Sequence, residues 1–161
     1  MISPASILDI PDIQSIAHES WPVAYTGIIS SEQIDFMLEL MYSTSSLQRQ
    51  MQELSHRFFI ARNEGMSIGF AAVGDEGSGV FKLHKLYVRP SVKGTGVGKK
   101  LLMTAEDYAR QMGARELILQ VNRKNPSVQF YQRQGLQVQR ETVLELGHGF
   151  VMDDFIMGKS L

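Results

Sequence analysis

Residues 88–99 read Val-Arg-Pro-Ser-Val-Lys-Gly-Thr-Gly-Val-Gly-Lys, with glycine at 94, 96 and 98. No other stretch constrains the fold as much. It follows an apolar run of strand type, Val80–Val88, and opens directly onto Leu101, Leu102, Ala105, Tyr108 and Ala109, which recur at helical spacing. Glycine lets a backbone take positive φ and come close to an anion. A helix start adds unpaired N–H groups and the positive end of the helix dipole. Strand, glycine loop and helix together make a phosphate cradle. A chain organised around such a cradle is α/β.

The rest of the chain fits that class. Ile2–Ile7 reads as a strand. A helix opens at Asp9 or Asp12 and runs through His18, with Ile10, Ile13, Ile16 and Ala17 on one face. Ser30 and Gln33 have the spacing of a capping box, and Ile34, Met37, Leu38 and Met41 form the apolar side of the helix that follows. A third helix runs through Leu47, Met51 and Leu54. Period-two runs then begin: strands at 57–62 and 66–73 around an Asn63-Glu64-Gly65 turn, and a strand at 80–88 after the glycine-rich turn 74–79. Alternation places Leu83, Lys85 and Tyr87 on one face and His84, Leu86 and Val88 on the other. The helix after the glycine loop ends at Gly113. A strand over 116–121, a helix opened by Asn125-Pro126 and closed by Gly135, and strands over 137–146 and 150–157 complete the chain.

Three kinds of phosphate loop compete for residues 93–100. A P-loop needs glycine where Lys93 stands and Ser or Thr where Lys100 stands. A dinucleotide fingerprint started at Gly94 and Gly96 would put its third glycine on Lys99, and no leading βαβ unit precedes it. Lys93-x-x-Gly96-x-Gly98 resembles the pyrophosphate loop of the GNAT superfamily of acetyl-CoA-dependent N-acetyltransferases. Leu83–Val88 looks like that family's central strand. Asn125-Pro-Ser-Val-Gln-Phe-Tyr-Gln-Arg-Gln-Gly135-Leu136 resembles its later motif. Lys93 stands where Arg or Gln is usual, and Leu136 where Phe is usual. The two motifs span roughly residues 80–136, and the order of elements matches the fold from end to end.

The resemblance implies a central, mostly antiparallel sheet flanked by helices, in one N-acetyltransferase domain over residues 1–161. Residues 1–56 form a helical acceptor side, and residues 57–161 bind acetyl-CoA. Acetyl passes from acetyl-CoA to an amine by direct attack. Pyrophosphate sits on Lys93, Gly94, Thr95, Gly96, Val97, Gly98 and Lys99. Pantetheine runs along Leu86, Tyr87 and Val88, and the main-chain N–H of Val88 or a neighbour polarises the thioester carbonyl. Asn122 or Asn125 meets the cofactor. Tyr131 is the general acid for the departing thiolate. His84, on the central strand, is the general-base candidate, with Asp153 and Asp154 as alternatives. Trp21, Tyr25 and Tyr42 wall an acceptor pocket or belong to the core. Family members are often dimers, which is the ground for considering a homodimer. A non-catalytic acetyl-CoA sensor is the alternative in another class, and a dinucleotide-binding oxidoreductase is disfavoured by Lys99.

Charge sharpens the acceptor reading. The net charge is −1, which argues against nucleic-acid and polybasic membrane partners. With no cysteine, there is no disulfide framework, thiolate nucleophile or Cys-based metal site. The lack of a basic leader or long apolar run makes a cytoplasmic protein the expectation. Six of the 17 acids, and none of the 16 bases, lie in residues 1–48. The remaining chain is therefore basic and suits a polyanionic cofactor. The acidic third suits a cationic amine acceptor.

Overall fold

A computed structural model describes all 161 residues. Seven strands form one sheet: β1 (Ile2–Pro4), β2 (Arg57–Asn63), β3 (Met66–Asp75), β4 (Val80–Val88), β5 (Glu116–Asn122), β6 (Gln137–Gly147) and β7 (Phe150–Ser160). Their order is β1-β2-β3-β4-β5-β7-β6. Every pair is antiparallel except β4 with β5, which are joined by a helical crossover. The helices are α1 (Ile10–Tyr25), α2 (Ser31–Tyr42), α3 (Thr44–Gln52), α4 (Val97–Gln111) and α5 (Ser127–Arg133).

The sheet separates two cores. On one face α4 lays Leu101, Leu102, Ala105 and Ala109 against Phe59, Ala71, Val73, Phe81, Leu83, Leu117 and Leu119. On the other, α1 and α2 bury Ile13, Ile16, Trp21, Met37, Leu38 and Tyr42 against Phe58, Phe70, Ala72 and Met152. The helical periodicity of these residues is the same signal read from the sequence, now facing a sheet.

Local chemistry moves several boundaries. The first strand stops at Pro4 rather than Ile7, because Ser6 and Asp9 form a reciprocal cap: Ser6 N–H donates to Asp9 Oδ2 at 2.8 Å, and Ser6 Oγ accepts from Leu8 N–H at 3.2 Å. Helix α1 continues past His18 and through Pro22 to Tyr25, since burial of Trp21 and Tyr25 outweighs the lost hydrogen bond. The box expected at Ser30 is half formed. Ser30 Oγ accepts from Gln33 N–H, but Gln33 Nε2 donates to Val151 O at 2.6 Å and ties α2 to β7. Helix α5 begins one residue later than expected, with Pro126 in the N-cap position; Asn125 lies just before it and accepts from Ser127 N–H through Oδ1 at 2.9 Å.

Strand β4 departs most from simple alternation. Ala72 pairs with Lys85 and Val73 with Leu83, so His84 is the extra residue of a β-bulge. The bulge breaks the alternation expected for this strand. Phe81, Leu83, Leu86 and Val88 pack toward the α4 core. Lys82, His84, Lys85 and Tyr87 line the cavity on the side of α1 and α2. Leu83 therefore does not share a face with Lys85 and Tyr87.

Candidate active site

The parallel ladder between β4 and β5 runs only from Val80↔Glu116 to Leu83↔Leu119. Beyond the bulge the two strands diverge, and the sheet opens at its centre. Three connected spaces occupy the opening. A groove of about 550 Å³ lies at the glycine loop, lined by Lys93, Gly94, Gly96, Gly98, Lys99, Tyr131 and Arg133 among others. A channel of about 110 Å³ passes between the splayed strands, past Leu86, Tyr87, Val88, Asn125, Ser127 and Tyr131. A cavity of about 200 Å³ lies on the far side, walled by Trp21, Tyr25, Met37, Met41 and Tyr42 from the helices and by Lys85, Tyr87 and Asp154 from the sheet. Leu86, Val88, Lys93 and Tyr131 border both groove and channel. Tyr25, His84, Lys85 and Tyr87 border both channel and cavity.

The groove carries the features of an anion site. Gly96 sits at φ +90° as the residue before α4, and an added Cβ there would meet nothing within 4 Å, so the demand for glycine comes from the backbone alone. The first intrahelical bond is Lys100 N–H to Gly96 O at 3.1 Å. The amides of Val97, Gly98 and Lys99 precede it and stay unpaired by the helix. Lys93, Lys99 and Arg133 add positive charge at the rim. Thr95 turns its hydroxyl onto Val92 O, and Val97 packs toward the core. Neither of those side chains lines the groove.

The edge of β4 facing the channel is free. Arg89 N–H donates to Ile68 O at 2.8 Å on the β3 side. Strand alternation therefore turns the Val88 N–H toward the unpaired edge. Arg89 itself is anchored to α1 through Glu19 at 2.7 Å, and by Nε to Ser67 O at 2.7 Å, which holds this strand end in place.

Tyr131, on α5, is buried and borders groove and channel. Burial pushes its phenol well above the ordinary range, so it keeps its proton at neutral pH. The Tyr25 and Tyr87 hydroxyls lie 3.1 Å apart at the junction of channel and cavity. Of the two asparagines, Asn125 lines the channel. Asn122 lines the cavity instead, with its Oδ1 accepting from Lys124 N–H.

The titratable groups of the cavity differ from one another. His84 stacks on His56 with ring centroids 3.9 Å apart and planes at 15°. Gly74 permits this, because a Cβ there would come within 3.0 Å of His56 and 3.2 Å of His84 Nε2. Burial, His56, Lys82 and Lys85 together push His84 down to about 3. Burial first, then Lys82, brings Lys85 down to about 8. Asp154 is buried and held above its ordinary range by that burial. Its Oδ2 accepts from Gln120 Nε2 at 2.9 Å, and its Oδ1 has no donor. Asp153 points outward to Arg123 at 2.9 Å, so the alternation expected at this pair holds.

The acidic N-terminal third does not face the cavity. Asp9 and Asp12 pair with Arg62 at 2.6 and 3.3 Å, and Glu19 pairs with Arg89. The residues that α1 and α2 do contribute to the cavity are uncharged. The sequence carries no signal for Lys82, Lys85 and Gln120 as wall residues, beyond the oddity of lysines inside an apolar strand.

Known proteins match this architecture. The family model of the acetyltransferase (GNAT) domain matches residues 26–152. A spermidine N(1)-acetyltransferase of Thermoplasma acidophilum is 30% identical over 153 residues, covering 92% of each chain. The crystal structure of PaiA N-acetyltransferase from T. acidophilum in complex with coenzyme A superposes with a TM-score of 0.85 at 31% identity, covering 100% of this chain and 98% of that one. A GCN5-related N-acetyltransferase from Rhodopseudomonas palustris shares the fold, with a TM-score of 0.86 at 21% identity over 100% and 95% of the two chains. The chain belongs to the GNAT acetyltransferase family and is an N-acetyltransferase with acetyl-CoA as its co-substrate.

Proposed function

We propose that this chain acetylates the primary amine of a small molecule by direct attack, with cofactor and acceptor entering from opposite sides of the splayed sheet. The observation that carries this reading is the continuous opening between β4 and β5. It runs from a cationic glycine groove to an aromatic-walled cavity, with Tyr131 on its wall. Pyrophosphate rests on the amides at the start of α4, beside Lys93, Lys99 and Arg133. Pantetheine lies along the free edge of Leu86–Val88, like an added strand. Asn125, which lines the channel, is the asparagine that meets it.

The thioester carbonyl then faces the Val88 N–H. The acceptor nitrogen attacks the carbonyl carbon, the C–N bond forms and the C–S bond breaks. Charge on the carbonyl oxygen is met by that N–H. The departing thiolate takes the proton of Tyr131, whose burial keeps it protonated until then. The amine must lose a proton. Asp154 is the stronger acceptor on the cavity wall, because His84, though neutral at pH 7, is held near 3 and is a weak base.

The cavity, at about 200 Å³, is smaller than the ~300–1,000 Å³ of a drug-sized ligand site, which supports a small acceptor. The relative named for spermidine supports the same class, a small amine. Release of free CoA from acetyl-CoA, measured across amino acids, polyamines, aminoglycosides and N-terminal peptides, tests the reading. Turnover with a small primary amine is expected. Tyr131→Phe should lower kcat about tenfold or more while acetyl-CoA still binds. Binding of acetyl-CoA without acetylation of any amine would leave a sensor, and an unchanged kcat would remove Tyr131 from the chemistry.

A further inference from the structure

Lys85 is the feature of the cavity that acetyl transfer by itself leaves unexplained. The residue is buried, only 8% exposed, and its side chain lines both channel and cavity. It makes no ion pair and no hydrogen bond; its ammonium lies 4.9 Å from the centre of the Tyr42 ring. Buried lysines are rare without a partner, since desolvating the ammonium is costly. Lys82, half-buried, adds a second positive charge to the same wall. Against these stands one carboxylate, Asp154, with one oxygen spent on Gln120 and the other unpartnered. Trp21, Met37, Met41, Leu144, Leu146 and Met152 make the apolar part of the wall, and its other polar members, His84, Asn122 and the tyrosines, are uncharged at neutral pH.

Such a wall repels a second cation on the acceptor and attracts an anion. We propose that the acceptor is a primary amine that also carries a carboxylate, an α-amino acid with an apolar or aromatic side chain. Lys85 holds its carboxylate, and Asp154 faces its amine. This rests on the acetyl-transfer reading above and narrows its acceptor. The Met- and Trp-lined wall takes the side chain, and the products are the N-acetyl amino acid and CoA. A polyamine has no group for Lys85 and places further charge against it.

Matched acceptors test this on the wild-type chain without any substitution. CoA release is compared for L-phenylalanine against phenethylamine, and for L-methionine against 3-(methylthio)propylamine, with spermidine alongside. The carboxylate-bearing member should have the higher kcat/KM by about tenfold or more, as expected when a buried charge loses its partner group. Lys85→Met, which keeps the volume and removes the charge, should abolish that ratio, and Lys85→Arg should restore part of it. Equal or better use of the decarboxylated amines or of spermidine overturns the proposal. If no amine is acetylated, the transfer reading fails separately. Calorimetry on the CoA-saturated chain then decides the carboxylate site: L-phenylalanine binding that phenethylamine does not match supports it, and no such difference overturns it.

Discussion

Single residues at this site owe their chemistry to burial more than to type. Tyr131 and Tyr87 hold their protons more tightly than free phenols because burial takes water from around the hydroxyls. His84 shows the opposite face of the same effect. Its folded value, about 3, lies below the ~6.5 of an unfolded histidine. Above pH 6.5 both states are neutral and His84 does not affect stability. Below it the unfolded chain takes a proton that the folded chain refuses, so stability falls as pH falls from about 6.5 toward 3. The loss should reach roughly 1 kcal/mol by pH 5.5, or about 2–4 °C in Tm. Thermal unfolding of wild type and His84→Gln across pH 5–8 checks this. The variant should show the shallower acid slope, and parallel slopes would mean that His84 is protonated when folded.

At the scale of elements, two local devices build the site. One is the bulge at His84, which re-aims Lys85 and Tyr87 and ends the β4–β5 ladder after Leu83. The other is the glycine turn before α4, with Gly96 at φ +90°. A residue with a side chain pays ~1–2 kcal/mol to hold such a left-handed angle. Gly96→Ala should therefore lower Tm by a few degrees and also weaken acetyl-CoA binding severalfold, because the loop relaxes away from the phosphates. Thermal unfolding reads the first and calorimetric titration with acetyl-CoA the second, and an unchanged Kd would mean that the loop does not cradle the cofactor. The strand–loop–helix unit was plain in the sequence, since its glycines and flanking periodicities are local. The bulge was not. Nothing in Phe81-Lys-Leu-His-Lys-Leu-Tyr87 marks one residue as extra, and only pairing with β3 does so.

For the molecule as a whole, acetyl-CoA binds the folded state and so stabilises it. At a hundredfold excess over Kd the gain is about 2.7 kcal/mol, which for a chain of this size is roughly 5–10 °C in Tm. NAD should give no such shift, because Lys99 stands where a dinucleotide turn needs glycine. Differential scanning fluorimetry with both ligands separates the classes; an NAD shift equal to that of acetyl-CoA would reopen the oxidoreductase reading. No helix is long and apolar enough to cross a membrane.

The sequence by itself determined the order of elements, the two helical faces, the glycine loop ahead of α4 and the family, because each rests on spacing within a few tens of residues. It also suggested a charge match between an acidic third and a cationic acceptor. Tertiary structure redirected that idea: Arg62 and Arg89, distant in the chain, take up Asp9, Asp12 and Glu19, while the bulge brings Lys82 and Lys85 to the cavity wall. Composition counts charges. Only the fold decides which of them are neutralised by a neighbour and which are left facing a ligand.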